Sequence, residues 1–183
     1  MLRTMEMVPE ILAAARFAAE KHAQQRRKGA GAEPYVNHLI EVAQLVSIGV
    51  AEPDVALVQA ALLHDTIEDT DTTAQELIDR FGNDVAAMVL EMTDDKRLPK
   101  AERNRLQIEH APTITARAQV IKLADKISNL RSLLISPPAD WDYERKRQYF
   151  EWARQVVDAL SAPNAVLLAE FERVYGRARE LER

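Results

Sequence analysis

Residues 115 to 135 constrain the fold most. Apolar side chains recur there at helical spacing, through Val120, Ile121, Leu123, Ala124, Ile127, Leu130 and Leu134, until Pro137-Pro138 ends the run. A periodic run of this length is a helix with a buried face, and Asp125 stands inside it. A carboxylate on a mainly apolar surface is costly to bury unpaired. Asp125 therefore needs either a basic partner, for which Lys122 and Lys126 are at hand, or a metal ion.

The rest of the chain reads as shorter helices. Pro9 fits the first turn of a helix that continues to the polar stretch Gln24 to Ala32. Asn37 is expected to cap a helix over 38 to 48 that Gly49 stops, and Pro53 to open the next one. Overlapping capping boxes in Thr72-Thr73-Ala74-Gln75-Glu76 start a helix that ends at Gly82. Further helices follow over 83 to 92 and 102 to 109, then, past Pro112, the long helix and two more over 140 to 160 and 162 to 181. Aromatics make up only 5 % of the chain while Ala and Leu abound, which favours closely packed helices over a sandwich. The expectation is an all-α, multi-helix fold, one domain over residues 1–183.

Charge and cysteine usage narrow the function classes. A net charge of −5 argues against a broad nucleic-acid surface, while leaving room for a local basic pocket around a small anion. Without cysteine there is no disulfide framework, thiolate metal site or cysteine nucleophile. Near the N-terminus Arg3 is followed by Glu6, Pro9 and Glu10, and the apolar run 11 to 15 is too short for a signal sequence or a membrane span. A cytoplasmic protein is expected, with no membrane partner and with assembly of identical chains left open.

The chemistry concentrates after the apolar segment 55 to 63, in His64-Asp65-Thr66-Ile67-Glu68-Asp69. On one continuous helix His64 and Glu68, Asp65 and Asp69, and Asp65 and Glu68 would share a face. Such an acidic patch repels itself unless a cation joins it, and an imidazole beside carboxylates suits a divalent metal. His38 supplies a second imidazole and Asp125 a further carboxylate, giving two nitrogens and two oxygens. This set points to a metal-dependent hydrolase, because a divalent ion acidifies a bound water. His22 and His110 read as solvated or core-edge histidines, and Gly29 and Gly31 form no dinucleotide fingerprint.

Four blocks in order carry a resemblance: Arg26-Arg27-Lys28, Pro34 to His38, Leu63 to Thr70, and Lys122 to Arg131. The chain resembles the HD-domain metal phosphohydrolases, and more closely the hydrolase domain of RelA/SpoT proteins, above all the free-standing small alarmone hydrolases including the metazoan SpoT homologue. Thr93-Asp94-Asp95-Lys96 and Tyr149 to Ala153 extend the similarity over nearly the whole chain.

The resemblance implies an Mn(II)-dependent 3′-pyrophosphohydrolase that converts (p)ppGpp to GDP or GTP and pyrophosphate. By it, His38, His64, Asp65 and Asp125 match the metal ligands, and Glu68 and Asp69 the catalytic acidic pair. Arg27, Lys28 and Asn129 match contacts to the nucleoside end, with Tyr35, Ser132 and Tyr149 completing the pocket. Arg26 is left open between a solvated charge and a ligand, and Arg145 stands between surface and phosphate contact. Leu39 replaces the usual Pro after the first His, and Ser132 a frequent Thr; neither change removes a ligand. With the sequence stopping at residue 183, hydrolysis without synthesis is expected. Two other functions stay open: hydrolysis of another ribose-phosphorylated nucleotide such as NADPH, and a nucleotide sensor without turnover.

Overall fold

In the computed structural model, residues 2–182 are described, with side chains from Met7 onward; the side chains of Arg3 and Glu6 lie outside the described residues. Ten α-helices follow one another: α1 (Leu2–Lys21), α2 (Val36–Gly49), α3 (Val55–Leu63), α4 (Thr66–Asp69), α5 (Ala74–Phe81), α6 (Asn83–Met92), α7 (Lys100–His110), α8 (Ala116–Ile135), α9 (Tyr143–Asp158) and α10 (Ala165–Tyr175). A 3₁₀ turn over Ala178–Glu182 closes the described chain. Among the described residues there are no strands, only an isolated bridge between Arg26 and Pro34, so the all-α expectation holds.

The long helix α8 sits at the centre, packed against α2, α10, α6 and α9. Val120, Ile121, Leu123, Ala124, Ile127 and Leu130 are buried as their spacing predicts; near the end Leu133 rather than Leu134 takes the core position. The shorter α3 is buried from Leu57 to Leu63 and lies between α1, α2 and α6. The start of α2, the end of α3 and the middle of α8 thus come together, which places the site.

Several boundaries differ from the sequence reading. Helix α1 runs through Pro9 rather than starting there, at the expense of one backbone hydrogen bond. Asn37 is not a cap: the chain already turns at Pro34 and Tyr35, whose carbonyls accept from the N–H groups of Asn37 and His38, so α2 starts earlier. Asp54, not Pro53, caps α3, its side chain accepting from Leu57 N–H at 2.7 Å. Thr73 caps α5 as expected, accepting from Glu76 N–H, and Gly82 ends it. The C-terminal pair is shorter than expected because Asp142 and Asn164 cap α9 and α10 two to three residues in, and α10 stops at Gly176. Among the described residues no helix is long and apolar enough to cross a membrane.

Candidate active site and metal centre

The continuous helix expected through His64 and Asp69 is broken. His64 ends α3, Asp65 adopts φ −100° and ψ −2°, and α4 restarts at Thr66, so the acidic residues turn away from the α3 axis. Thr66 Oγ1 donates to the Leu63 carbonyl at 2.6 Å and Asp69 N–H to the Asp65 carbonyl at 2.9 Å, which hold this bend in place. The break splits the cluster. His64 and Asp65 face α2 and α8, while Glu68 and Asp69 reach the surrounding loops.

His38, His64 and Asp65 offer ligand atoms within 4.8 Å of one another. Asp65 Oδ2 lies 3.6 Å from His38 Nε2 and 3.1 Å from His64 Nε2; Asp125 Oδ1 lies 3.3 Å and 3.8 Å from the same two nitrogens. Both Nε2 atoms are buried and have no hydrogen-bond partner. His64 Nδ1 is 2.9 Å from the Ala61 carbonyl, an acceptor only, so that nitrogen carries a hydrogen, and it is Nε2 that faces the carboxylates and exchanges a proton for a metal. Burial opposes charge on His64, but Asp65 and Asp125 outweigh it and push its pKa up to about 10. Burial likewise works against Asp65 and Asp125, yet His64 in one case and Lys126 in the other, with His38 beside both, hold them well below the usual carboxylate range. Two orphaned imidazole nitrogens and two ionised carboxylates in one place demand a cation, and a mixed nitrogen and oxygen donor set fits a divalent metal.

Both expected acidic residues stand beside this cluster. Glu68 Oε2 accepts from Asp94 N–H at 3.0 Å, and Oε1 is 3.7 Å from Arg103; burial raises its pKa to about 7. Asp69 accepts from Gln25 Nε2 at 2.7 Å and is paired with Lys96. His22, buried, meets the other end of the Gln25 amide through Nδ1 and stacks on Tyr35, and its Nε2 is also buried without a hydrogen-bond partner; His110 is exposed.

A cavity of ≈ 550 Å³ opens over these groups and is lined by Arg27, Lys28, Tyr35, Asn129, Ser132 and Tyr149 together with His64, Asp65, Glu68, Asp69 and Asp125. Tyr35 Oη donates to Asp65 Oδ2 at 2.7 Å; burial, then Asp65, raises its pKa. Arg27 donates to Asn129 Oδ1 at 2.9 Å and lies over the Tyr35 ring, while Asn129 Nδ2 donates to Asp125 Oδ1 at 2.6 Å. Burial lifts the Tyr149 hydroxyl to about 12. Arg26 also lines the cavity, exposed, its guanidinium tied to the Ala23 and Gln25 carbonyls. Arg145 is exposed and stacks on Trp141 at the edge.

Lys122 and Lys126, expected only as possible partners of Asp125, also line the cavity, as do Lys100, Arg103 and Gln107. Lys122 and Lys126 are buried and flank Asp125; Lys126 Nζ reaches Asp125 Oδ2 at 3.1 Å and Gln107 Oε1 at 3.0 Å, over the Trp152 ring. Burial and then Lys28, Arg145 and Arg103 lower the pKa of Lys100, the mark of cations gathered with too few anions. The polar stripe Lys122, Asp125, Lys126, Asn129 at i, i+3, i+4 and i+7 is visible in the sequence and would have signalled the lysines. Lys100, Arg103 and Gln107 share the i, i+3, i+7 spacing, but α7 has no buried face to set them off, so only tertiary packing shows that they turn toward the cavity.

The HD-domain family model matches residues 14–155. The guanosine-3′,5′-bis(diphosphate) 3′-pyrophosphohydrolase MESH1 of Xenopus tropicalis is 50 % identical over 165 residues, 90 % of this chain and 92 % of that protein. Its Homo sapiens counterpart is 51 % identical over 86 % of this chain and 88 % of its own. Among solved structures, a metazoan orthologue of SpoT that hydrolyses ppGpp and plays a role in starvation responses superposes with a TM-score of 0.88 at 46 % identity, covering 94 % of this chain and 96 % of that one.

Proposed function

The chain belongs to the HD-domain family, and on that premise we propose that it is a (p)ppGpp 3′-pyrophosphohydrolase, releasing pyrophosphate and GDP or GTP. The observation that carries this reading is the convergence of two partnerless imidazole nitrogens and two carboxylates beneath a cavity walled by lysines and arginines in a chain of net charge −5. The basic wall meets a highly anionic substrate, and the cluster beneath holds a cation. His38, His64, Asp65 and Asp125 would hold a divalent ion, which we assign as Mn(II) and which, when bound, would supply Lewis acidity and acidify water.

The protein's own groups have distinct tasks. Glu68, with its pKa near 7, exchanges a proton at neutral pH and serves as the acid–base partner of the attacking water. Asp69, fixed by Gln25 and Lys96, orients that water. Arg27 presents a guanidinium face beside Tyr35 for a base, and Asn129, Lys28, Ser132 and Tyr149 complete the grip on the nucleoside end.

A second substrate is favoured by one observation. The rings of Trp141, Tyr149 and Trp152 form a contiguous cluster along the cavity, a place for a second aromatic group as in NADPH. Specificity constants for ppGpp and NADPH, measured side by side, rank the two. Asp65→Ala is expected to abolish pyrophosphate release; turnover retained in a folded Asp65→Ala protein would contradict the assigned site.

A further inference from the structure

We infer that Ser128 and Glu41 are positioning residues that fix the tautomer of His38, keeping its Nε2 free of hydrogen where it faces the acidic cluster. The inference rests on the reading of His38 as a metal ligand but concerns a different part of the ring. Ser128 Oγ lies 2.8 Å from His38 Nδ1 and 2.6 Å from Glu41 Oε2. A hydroxyl has one hydrogen to give, and an ionised carboxylate has none, so Ser128 donates to Glu41. Its oxygen can then only accept from His38, which requires the hydrogen on Nδ1. A singly protonated ring held this way has a bare Nε2.

The alternative is close at hand. A hydrogen on Nε2 would be drawn to Asp125 Oδ1 at 3.3 Å, with the Asp65 carboxylate at 3.6 Å adding its charge, and that tautomer has no lone pair left for a metal. The Ser128–Glu41 pair opposes it from the far side of the ring. Arg131 donates to Glu41 Oε1 at 2.8 Å and also pairs with Glu170, so α10 braces the arrangement. His64 needs no such device because the Ala61 carbonyl fixes its Nδ1. His38 is 3 % exposed and Ser128 1 %, so water does not substitute for the hydroxyl.

Glu41→Gln gives the sharpest test. With Arg131 donating to the amide oxygen, the amide NH₂ faces Ser128, the hydroxyl turns its hydrogen toward Nδ1, and the ring hydrogen moves to Nε2. Nitrogen-15 NMR of the histidine rings in metal-free protein is expected to show the Nδ1–H form of His38 in wild type and the Nε2–H form in Glu41→Gln. Calorimetric titration with Mn(II), without substrate, is expected to show about 10-fold or greater weakening in Ser128→Ala and Glu41→Gln and near-native binding in Ser128→Thr. An Nε2–H ring in wild type, or Mn(II) binding by Ser128→Ala equal to wild type, would overturn the inference. Wild type that binds no Mn(II) would instead overturn the metal-site reading, and the NMR tautomer would still decide the role of Ser128 and Glu41.

Discussion

Glu68 titrates where the chemistry needs it, and that has a consequence for stability. Burial raises its pKa from 4.5 to about 7, so between those values the folded protein binds a proton that the unfolded chain has released. Its contribution is therefore present at low pH and lost as pH rises through about 7. In metal-free protein, Glu68→Gln should match wild type near pH 4.5 and be more stable by about 1–2 kcal/mol at pH 8, the shift discounted for the solvent that still reaches the carboxyl. Urea denaturation at the two pH values checks this; equal stabilities at pH 8 would contradict a raised pKa. His64 and Asp65 stand out in the sequence as polar side chains that close an apolar run and Asp125 as a carboxylate within one, whereas His38 is assigned through the resemblance. Their partners were not legible. Gln25 to Asp69, Ser128 to His38 and Lys126 to Gln107 span 44, 90 and 19 residues, and no local spacing encodes such pairs.

At the scale of elements, caps and close approaches decide how well the site is presented. Asp54 caps α3, the helix that ends in His64, and pairs with Arg117 on α8. Asp54→Ala should lower stability by about 1 kcal/mol, read from the urea midpoint, with the metal site intact. The loop bearing Arg27 and Lys28 is pinned to the end of α8: Gly31 N–H donates to Ser136 Oγ, and Ala30 N–H to the Pro137 carbonyl. A Cβ on Gly29 would stand 2.1 Å from the Ser136 carbonyl oxygen, so Gly29→Ala must push the loop away. The expected result is a several-fold rise in KM with a smaller change in kcat; unchanged KM would show that the loop does not hold substrate. Helix existence and most capping were readable from spacing, Thr73 and Gly82 among them. The break at Asp65 was not, because a helical run followed by acids reads as one helix until α2 and α8 pack beside it.

At the scale of the whole molecule, an acidic chain builds one basic cavity by folding α7, α8 and the Arg27 loop around a common centre. The all-α class followed from periodicity and scarce aromatics, and the family from four blocks of residues in order. The cavity wall needed the tertiary structure. On the function proposed above, this constellation cleaves the 3′-diphosphate of ppGpp with the help of a divalent ion. Metal-stripped protein, given Mn(II) and ppGpp and analysed by anion-exchange chromatography, should yield GDP and pyrophosphate in equal amounts, and neither without metal. Intact ppGpp in the presence of folded, Mn(II)-loaded protein would contradict the claim.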